Sequence, residues 1–575
     1  MLLLLFISIF AFVILFTLGD FFQSLYNRIC YKNEEISIIE GVILGMFFLT
    51  TILSITSLFL PSNHFFLLFF VLFSIIYWLY KKGKIQSILI GLINTFRSIP
   101  IFFKILFLLL IFSFTLIHIF GYISFDEGNY YLQNVVWNEK YPIIKGLASF
   151  EERLGFNSSF FLLLAPFTFS FILGDPQYVL HIMFTILVLS WFFKEMIISK
   201  FEVKRVTLFI IFIIFIWFFI NYFWSVSNDS IIHVTIFYLI AKLYLYPDRQ
   251  INKYLLYITS FVYLVTIKTF IVPFAFVMIL YFVYNMIKNK DIKPLSFIIF
   301  VSVISISFWC IRNVLLSGYL IYPFHELDLF NVDWKLPKEI TIKERANINY
   351  GFDRLIRPFT EFFRTIEYFP YTFPAKPLIM GVVYWGSLIP LAYIFINLIN
   401  KSKKAVKKIP PALYWIFVAT ILEIIFFVLT SCNERFISSM LFLSIFFAIA
   451  LYLKKEKYIS RIWGATLILL SIAIIGLQIP RLIYIDNTSF RPSLIFVPYT
   501  VDEKSRYGKT NEGYELYELN NGVEIYLAGS KWVYDVVPAV TRLKEGEYSG
   551  RFQSYENIEA RGTRVEDGFR YRTNK

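Results

Sequence analysis

An acidic pair, Asp126-Glu127, stands where a long hydrophobic stretch ends and a polar segment rich in Tyr, Trp, Asn and Lys begins. A carboxylate in such a place can accept a proton from a hydroxyl group or hold a divalent cation. Because neighbouring aromatic rings exclude water, we expect the pKa of this carboxylate to be raised toward neutral pH. Asp126 or Glu127 is therefore a candidate general base where a lipid-borne substrate would meet water.

Further charged residues lie at the ends of other hydrophobic stretches, on the membrane face predicted for the acidic pair: Asp229, Lys268, Arg312 and Arg435. Asp229 is a second candidate catalytic carboxylate. The three cations are candidate phosphate ligands, because Lys and Arg bind phosphate groups and stabilise the charge that develops on them.

Three aromatic residues follow the acidic pair, namely Tyr130, Tyr131 and Trp137. Such rings can stack on sugar faces, and they also anchor proteins at the level of the lipid headgroups. A base, a phosphate clamp and an aromatic platform are what sugar transfer from a polyprenyl-linked donor requires. The alternative is a ring of polar anchors at the interface, which every polytopic membrane protein has.

The composition predicts the elements that must position these residues. Of 575 residues, 58% are hydrophobic and only 16% are charged, whereas soluble domains average roughly 45–50% apolar and about 25% charged residues. We predict an all-α polytopic membrane protein with about 13–15 apolar segments, external loops and a small β-rich external region at the C-terminus.

The formal net charge of +14 does not indicate a nucleic-acid partner. The lysines gather in short connections between apolar segments, such as 81–84 and 401–408. This is the positive-inside pattern, which reports orientation in a membrane. The lipid bilayer is thus the expected partner.

Three regions follow from the distribution of apolar segments. Residues 1–100 are predicted to form N-terminal transmembrane helices, and residues 101–480 a transmembrane module with external loops 125–156 and 318–376. The tail, 481–575, alternates short β-type runs with turn signals, and we expect it to form an external domain.

Placing every lysine-rich connection in the cytoplasm puts both loops and the tail outside. This requires that the segment 157–174, which carries Pro166 in mid-run, does not fully cross the membrane. A re-entrant or broken segment is one solution. The other is that the positive-inside rule fails at residues 200–205.

The layout resembles that of the C-type glycosyltransferases, multi-span enzymes that use lipid-linked sugar donors. That superfamily has an acidic residue or pair in the first external loop of its module, often a second acidic site in a later loop, and an external C-terminal region. Asp126-Glu127 corresponds to the first acidic site and Asp229 to the second.

The chain also resembles a family of functionally uncharacterised bacterial polytopic proteins found among surface-polysaccharide genes. The stretches that carry this resemblance include WNEKYPIIKGLASFEERLGFNSSFF, IRNVLLSGYLIYP, NERF and NNGVEIYLAGSKWVYDVVPAV. It implies a multi-pass protein of the bacterial inner membrane, with the C-terminal tail outside the cytoplasm.

The leading hypothesis is an inverting membrane glycosyltransferase that moves a sugar from a polyprenyl-phosphate-linked donor to a cell-surface glycan or lipid acceptor. A polymerase of capsule or O-antigen repeats has the same broad geometry and stays open as an alternative. A transporter of polysaccharide or lipid-linked sugar is the alternative from another class, although such proteins usually show paired repeats. A structural or assembly subunit also stays open.

Overall fold

The computed structural model of the chain describes residues 2–121, 124, 126–348, 386, 389, 392, 411–431, 433–452, 457–479, 515–527, 537–540 and 555–572. Over these residues the protein is an all-α polytopic membrane protein with a small β region near the C-terminus, as predicted. Seven of the described helices are long and apolar enough to cross a membrane.

The helices of the first part are α1 (Leu2–Cys30), α2 (Ile38–Thr56), α3 (His64–Tyr80), α4 (Lys82–Ser98) and α5 (Ile101–Phe120). The next part contains α6 (Leu132–Lys140), α7 (Leu147–Phe150), α8 (Ser159–Leu164), α9 (Ser170–Leu173), α10 (Leu180–Ile198), α11 (Val203–Phe218), α12 (Ile220–Trp224), α13 (Asn228–Leu245) and α14 (Pro247–Gln250). The last part contains α15 (Tyr254–Ile267), α16 (Val272–Lys288), α17 (Ile292–Ser317), α18 (Lys338–Ile348), α19 (Pro411–Thr430), α20 (Ser438–Tyr452) and α21 (Arg461–Gly476).

Helices α1 and α2 pack closely because glycines lie where the two helices cross. A Cβ atom added at Gly19 would lie 1.8 Å from the carbonyl oxygen of Gly41, and one at Gly45 would lie 1.8 Å from that of Leu15. Small residues let two helix backbones approach, which is how packing is gained where lipid replaces water. Helix α2 also packs on α8, α15 and α17, so the first hundred residues share a core with the rest.

One end of the helix bundle is marked by the buried carboxylate of Glu40, in the first turn of α2. It pairs with Lys242, near the end of α13, at 2.8 Å and with Lys253, just before α15, at 2.7 Å. We call this end the Glu40 end. The opposite end, where α5, α15 and α19 finish and α13, α16 and α20 begin, we call the Asp126 end.

The segment 157–174 is broken, as Pro166 predicts. It contains α8 with six residues, a 3-10 turn at Ala165–Phe167 and α9 with four residues. Each of these helices is shorter than the roughly 20 residues that a spanning helix needs.

Helices α15 and α16 form a hairpin whose tip is Lys268. The backbone there is extended, with φ −158° and ψ 124°, and a 3-10 turn at Thr269–Ile271 leads into α16. Pro273 lies in the first turn of α16, where its missing N–H costs no hydrogen bond. The sequence therefore ends one helix and starts the next at the Asp126 end.

The described part of the tail contains β1 (Glu515–Glu518), β2 (Glu524–Leu527), β3 (Ala539–Val540), β4 (Ile558–Ala560) and β5 (Phe569–Tyr571). Strands β1 and β2 are antiparallel, β2 and β3 parallel, and β4 and β5 antiparallel. One of the turn signals in the tail, Asn520-Asn521-Gly522, joins β1 to β2, with φ +65° at Asn521 and +78° at Gly522.

The tail packs on both predicted external loops. The N–H of Phe569 donates to the Lys145 carbonyl at 2.9 Å, and Arg561 binds both carboxylate oxygens of Asp333, at 2.8 and 3.1 Å. The described parts of loops 125–156 and 318–376 and of the tail therefore lie on one side of the bundle. Residues 349–376, 481–514 and the predicted span 377–400 lie outside the described residues, apart from three isolated positions.

Candidate functional site

A cavity of about 630 Å³ lies at the Asp126 end of the bundle. Helices of unequal length create it. Helix α15 has 14 residues and so rises about 21 Å, whereas α17 has 26 residues and rises about 39 Å. Both start at the Glu40 end, where the hydroxyl of Tyr254 accepts a bond from Asn289 at 2.9 Å. The hairpin tip at Lys268 thus ends short of α17 and leaves a recess between them.

Asp126 is the more exposed of the two described carboxylates that line this recess, with 25% of its side chain exposed against 4% for Glu344. Arg435 donates to its Oδ2 at 3.0 Å, and Arg153 donates to its Oδ1 at 3.4 Å. Burial raises the pKa of Asp126, but the Arg435 and Arg153 guanidiniums outweigh it and hold the pKa below the usual value. The expected elevation of this pKa is therefore wrong, because two cations oppose the desolvation.

Asp229 lies behind the lining of the cavity, with 1% of its side chain exposed. The hydroxyl of Ser227 caps the start of α13 by accepting from the Asp229 N–H at 3.2 Å. Lys268 donates to Asp229 Oδ1 at 2.6 Å, and Arg435 Nε lies 3.7 Å from Oδ2. Asp229 therefore holds two cations in place beneath the cavity.

Arg435 is central, because it contacts both carboxylates. It lies in a 3-10 turn between α19 and α20, which the Asn433 side chain caps by accepting from the Arg435 N–H. His233, one turn along α13 from Asp229, contacts the Arg435 carbonyl through Nε2 at 2.5 Å and Ser439 through Nδ1 at 2.9 Å. The backbone that carries Arg435 is thereby tied to α13.

Arg153 extends the charged network toward the second predicted loop. Its Nε lies 3.4 Å from Glu344 Oε1, on α18, and its guanidinium lies 5.3 Å from the ring centroid of Tyr130. Arg153, Glu344 and Lys268 line the cavity together with Asp126 and Arg435. Each of the three cations Arg153, Lys268 and Arg435 thus pairs with at least one carboxylate among the described residues.

Aromatic rings complete the wall. The Arg435 guanidinium lies 5.8 Å from the Tyr222 ring centroid. The Lys268 ammonium lies 4.5 Å from the Phe436 ring, which stacks on Phe270 at 4.7 Å. Cation–π contacts of this kind stabilise the two cations in addition to their ion pairs.

Six predicted site residues come together here: Asp126, Asp229, Lys268, Arg435, Tyr130 and Tyr131. Three others do not. Glu127 accepts from the N–H groups of Val226 at 2.8 Å and Ser124 at 3.0 Å, so it holds the loop rather than facing the cavity. Trp137 packs against Phe150, with ring centroids 5.7 Å apart.

Arg312 also lies apart from the cavity lining. It donates to the side-chain oxygens of Asn157 at 3.1 Å and Asn138 at 2.9 Å, and to the Ser57 hydroxyl. These acceptors are neutral, and only 3% of Arg312 is exposed. Arg312 therefore ties α2, α6 and α17 together, and it is not positioned to bind a phosphate in the cavity.

The sequence analysis did not identify Arg153, Glu344 or Tyr222 as site residues. Arg153 lies within predicted loop 125–156, 27 positions from its partner Asp126, and no spacing pattern links the two. For a divalent cation, the described residues contain no group of three or more His, Cys, Asp or Glu side chains that could hold one.

Comparison with known proteins gave one match, to a family model. Neither the curated proteins nor the solved structures include one similar to this chain. Residues 1–442 match the model of a family described as a domain of unknown function (DUF8201). The match includes Asp126, Arg153, Asp229, Lys268 and Arg435 and ends before the β region of the tail. The chain belongs to this DUF8201 family.

Proposed function

We propose that this protein is an inverting membrane glycosyltransferase. It transfers a sugar from a polyprenyl-phosphate-linked donor to a cell-surface glycan or lipid acceptor. One observation carries the proposal: the partly exposed carboxylate of Asp126 faces a recess in a membrane helix bundle while Arg435 and Arg153 bind it and Lys268 lies beside it. Base and phosphate ligands are thus neighbours.

In the proposed reaction the acceptor hydroxyl oxygen bonds to the anomeric carbon of the sugar. The bond from that carbon to the donor phosphate oxygen breaks, and its electron pair leaves with the polyprenyl phosphate. Asp126 takes the hydroxyl proton. Arg435, Arg153 and Lys268 stabilise the negative charge that grows on the leaving phosphate.

Phosphate binding also prepares the base. Without donor, the guanidiniums of Arg435 and Arg153 keep Asp126 ionised but make it a weak proton acceptor. A phosphate in the recess competes for these guanidiniums, since charge-assisted bonds to phosphate are strong and bidentate. Asp126 then loses part of its counter-charge, so its pKa rises when the donor is bound.

The proposal also includes a surface for the sugar ring and an orientation of the protein in the membrane. Tyr130 and Tyr222, whose rings lie beside Arg153 and Arg435, form the surface on which the sugar ring rests. The Asp126 end and the tail face away from the cytoplasm of a bacterial inner membrane. This orientation follows the positive-inside rule, because lysine-rich connections such as 288–293 adjoin the Glu40 end.

The experiment is a product analysis with the purified full-length chain in proteoliposomes that contain radiolabelled polyprenyl-phosphate sugars. We expect free polyprenyl phosphate and an acceptor that carries one added sugar. A second sample contains polyprenyl-diphosphate-linked repeat units, and a glycan chain that grows from them with release of polyprenyl diphosphate would indicate the repeat polymerase. Donor that changes leaflet without being cleaved would indicate a transporter, and either result would overturn the transferase.

A further inference from the structure

Helix α4 connects α3 to the candidate spanning helix α5 at one end of the bundle. At its start, Tyr77 of α3 and Lys84 of α4 both donate to the buried carboxylate of Asp20, at 2.7 and 2.5 Å. Asp20 follows Gly19, which packs on Gly41 beside Glu40. The start of α4 therefore lies at the Glu40 end.

The other end of α4 leads to α5, which also starts at the Glu40 end. Phe103, in the first turn of α5, packs on Phe201, with ring centroids 5.4 Å apart. Phe201 belongs to the turn between α10 and α11, and Glu195, in the last turn of α10, accepts from the Tyr246 hydroxyl at 2.5 Å. Tyr246 directly follows α13, whose Lys242 pairs with Glu40. Since both ends of α4 lie on one side, α4 does not cross the membrane.

The direction of α4 agrees with this. It bends away from α3 by 92°, so it runs across the end of the bundle. Its 17 residues make it about 26 Å long. Within the described part of the chain, none of its residues is buried.

The two faces of α4 differ. Apolar side chains recur at the spacing of one helix face, at Ile85, Leu89, Leu92 and Phe96. The exposed fractions of the last three are 51%, 46% and 53%. The opposite face carries Ser87, Gly91, Asn94 and Ser98. A stripe of this kind is expected in a helix that lies in the membrane interface.

Charge indicates what covers the stripe. Residues 81–104 carry five basic side chains, Lys81, Lys82, Lys84, Arg97 and Lys104, and no acidic one. Lys84 pairs with Asp20, and the Lys104 ammonium lies 4.6 Å from the Phe96 ring. The remaining three stand at the two ends of the helix. An apolar stripe flanked by basic residues complements an anionic lipid surface.

We infer that α4 is an interfacial helix that binds anionic phospholipid headgroups. The exposed part of its stripe, Leu89, Leu92 and Phe96, lies among the acyl chains of the leaflet at the Glu40 end, while Ile85 is partly buried and packs against the helix bundle. Lys81, Lys82 and Arg97 contact the phosphate groups around it. This inference does not rest on the proposed transferase activity.

The test uses the full-length chain in nanodiscs, with its native cysteines replaced by serine and one fluorophore attached at a new cysteine. Leu92→Cys reports the stripe and Asn94→Cys the opposite face. We expect lipids with a nitroxide on the acyl chain to quench the label at 92, and aqueous iodide to quench the label at 94. If the label at 92 is quenched by iodide, or shielded from both quenchers by protein, the interfacial position is wrong.

Headgroup preference is measured at the same label. Nitroxide-bearing phosphatidylglycerol should quench it about two- to five-fold more than nitroxide-bearing phosphatidylcholine at equal content, because basic residues near the surface enrich anionic lipid. Replacing Lys81, Lys82 and Arg97 by glutamine should bring the ratio to about one. The matched control replaces Lys288, Lys290 and Lys293, at the junction of α16 and α17, by glutamine. It should keep the quenching ratio of the unmodified chain. An unchanged ratio in the α4 variant, or an equal loss in the control, would overturn the lipid-binding inference.

Discussion

Arg435 and Arg205 have nearly the same surroundings at opposite ends of the bundle. Arg435 contacts Asp126 at 3.0 Å and Asp229 at 3.7 Å and lies 5.8 Å from the ring centroid of Tyr222. Arg205 contacts Glu195 at 3.2 Å, is bonded to Glu202, and lies 5.8 Å from the Tyr246 ring. Each is thus a guanidinium shared by two carboxylates and a tyrosine.

The difference is in what each arginine joins. Arg205 binds carboxylates 3 and 10 positions away, around the turn between α10 and α11, and the Tyr246 hydroxyl just after α13, so it braces these helix ends against each other. Arg435 reaches Asp126 across 309 positions and faces the cavity. Similar pairing chemistry therefore braces helix ends in one place and lines a cavity in the other. The access of a ligand to the cation decides between the two.

The largest expected effect separates the base from the structural carboxylate beside it. Asp126→Asn keeps the shape of the side chain and removes the proton acceptor. We expect it to lower the rate of sugar transfer about 10²- to 10⁴-fold, which is the usual contribution of a positioned base. Transfer from radiolabelled donor in proteoliposomes measures this.

The matched control is Glu127→Gln at the next position. Glu127 binds the N–H groups of Val226 and Ser124, so its replacement should lower thermal stability and leave the transfer rate per folded molecule within about a few-fold. A full rate for Asp126→Asn, or an equal loss in both variants, would remove Asp126 from the reaction.

A second prediction concerns Arg312, which the sequence placed with the phosphate ligands. Its three acceptors are neutral side chains of Asn157, Asn138 and Ser57. Arg312→Lys should lose at least one charge-assisted bond and destabilise the fold by about 1.5–3 kcal/mol. Donor affinity should stay unchanged. Chemical denaturation and a donor titration on the same sample check both, and a weakened affinity at full stability would return Arg312 to the site.

The smallest effect concerns pH. The folded-state pKa of Asp126 is depressed below its usual value near 3.9. Its ion pairs therefore contribute stability above about pH 4, and this contribution is lost as pH falls through the depressed pKa. From pH 6 to 9 we expect kcat/KM, which reports the free enzyme, to show no acidic limb from this group.

The acidic limb of the free enzyme lies below about pH 4, and donor binding should move it to higher pH, because the phosphate draws the guanidiniums from Asp126. The acidic limb of kcat, which reports the donor complex, should lie at higher pH than that of kcat/KM. Coincident limbs in the two profiles would contradict the competition between phosphate and carboxylate.

Much of the fold follows from sequence because lipid imposes simple constraints. Length and hydropathy give the spans, and counting their alternation puts Asp126, Asp229, Lys268 and Arg435 at one end. Helix α4 was not predicted, because its apolar stripe is too diluted by polar residues to read as a span.

Two properties were not predicted: the direction in which a side chain leaves its helix, and the residue that it contacts. Arg312 is at the predicted level, but its side chain is directed toward Asn157 and away from the cavity. Arg153 was missed because only folding brings it to Asp126. The sign of the Asp126 pKa shift depends on Arg435 and Arg153, so desolvation alone gave the wrong direction.

The proposed function requires that the cations of the cavity bind a lipid-linked phosphate. The most direct test is the affinity of the detergent-solubilised full-length chain for a polyprenyl phosphate, measured by native mass spectrometry for wild type, Arg435→Lys and Arg205→Lys. Lysine cannot reproduce bidentate binding. We expect Arg435→Lys to weaken binding about 10- to 100-fold and Arg205→Lys to leave it within about two-fold. Equal affinity of all three proteins, or equal weakening of both variants, would contradict the account.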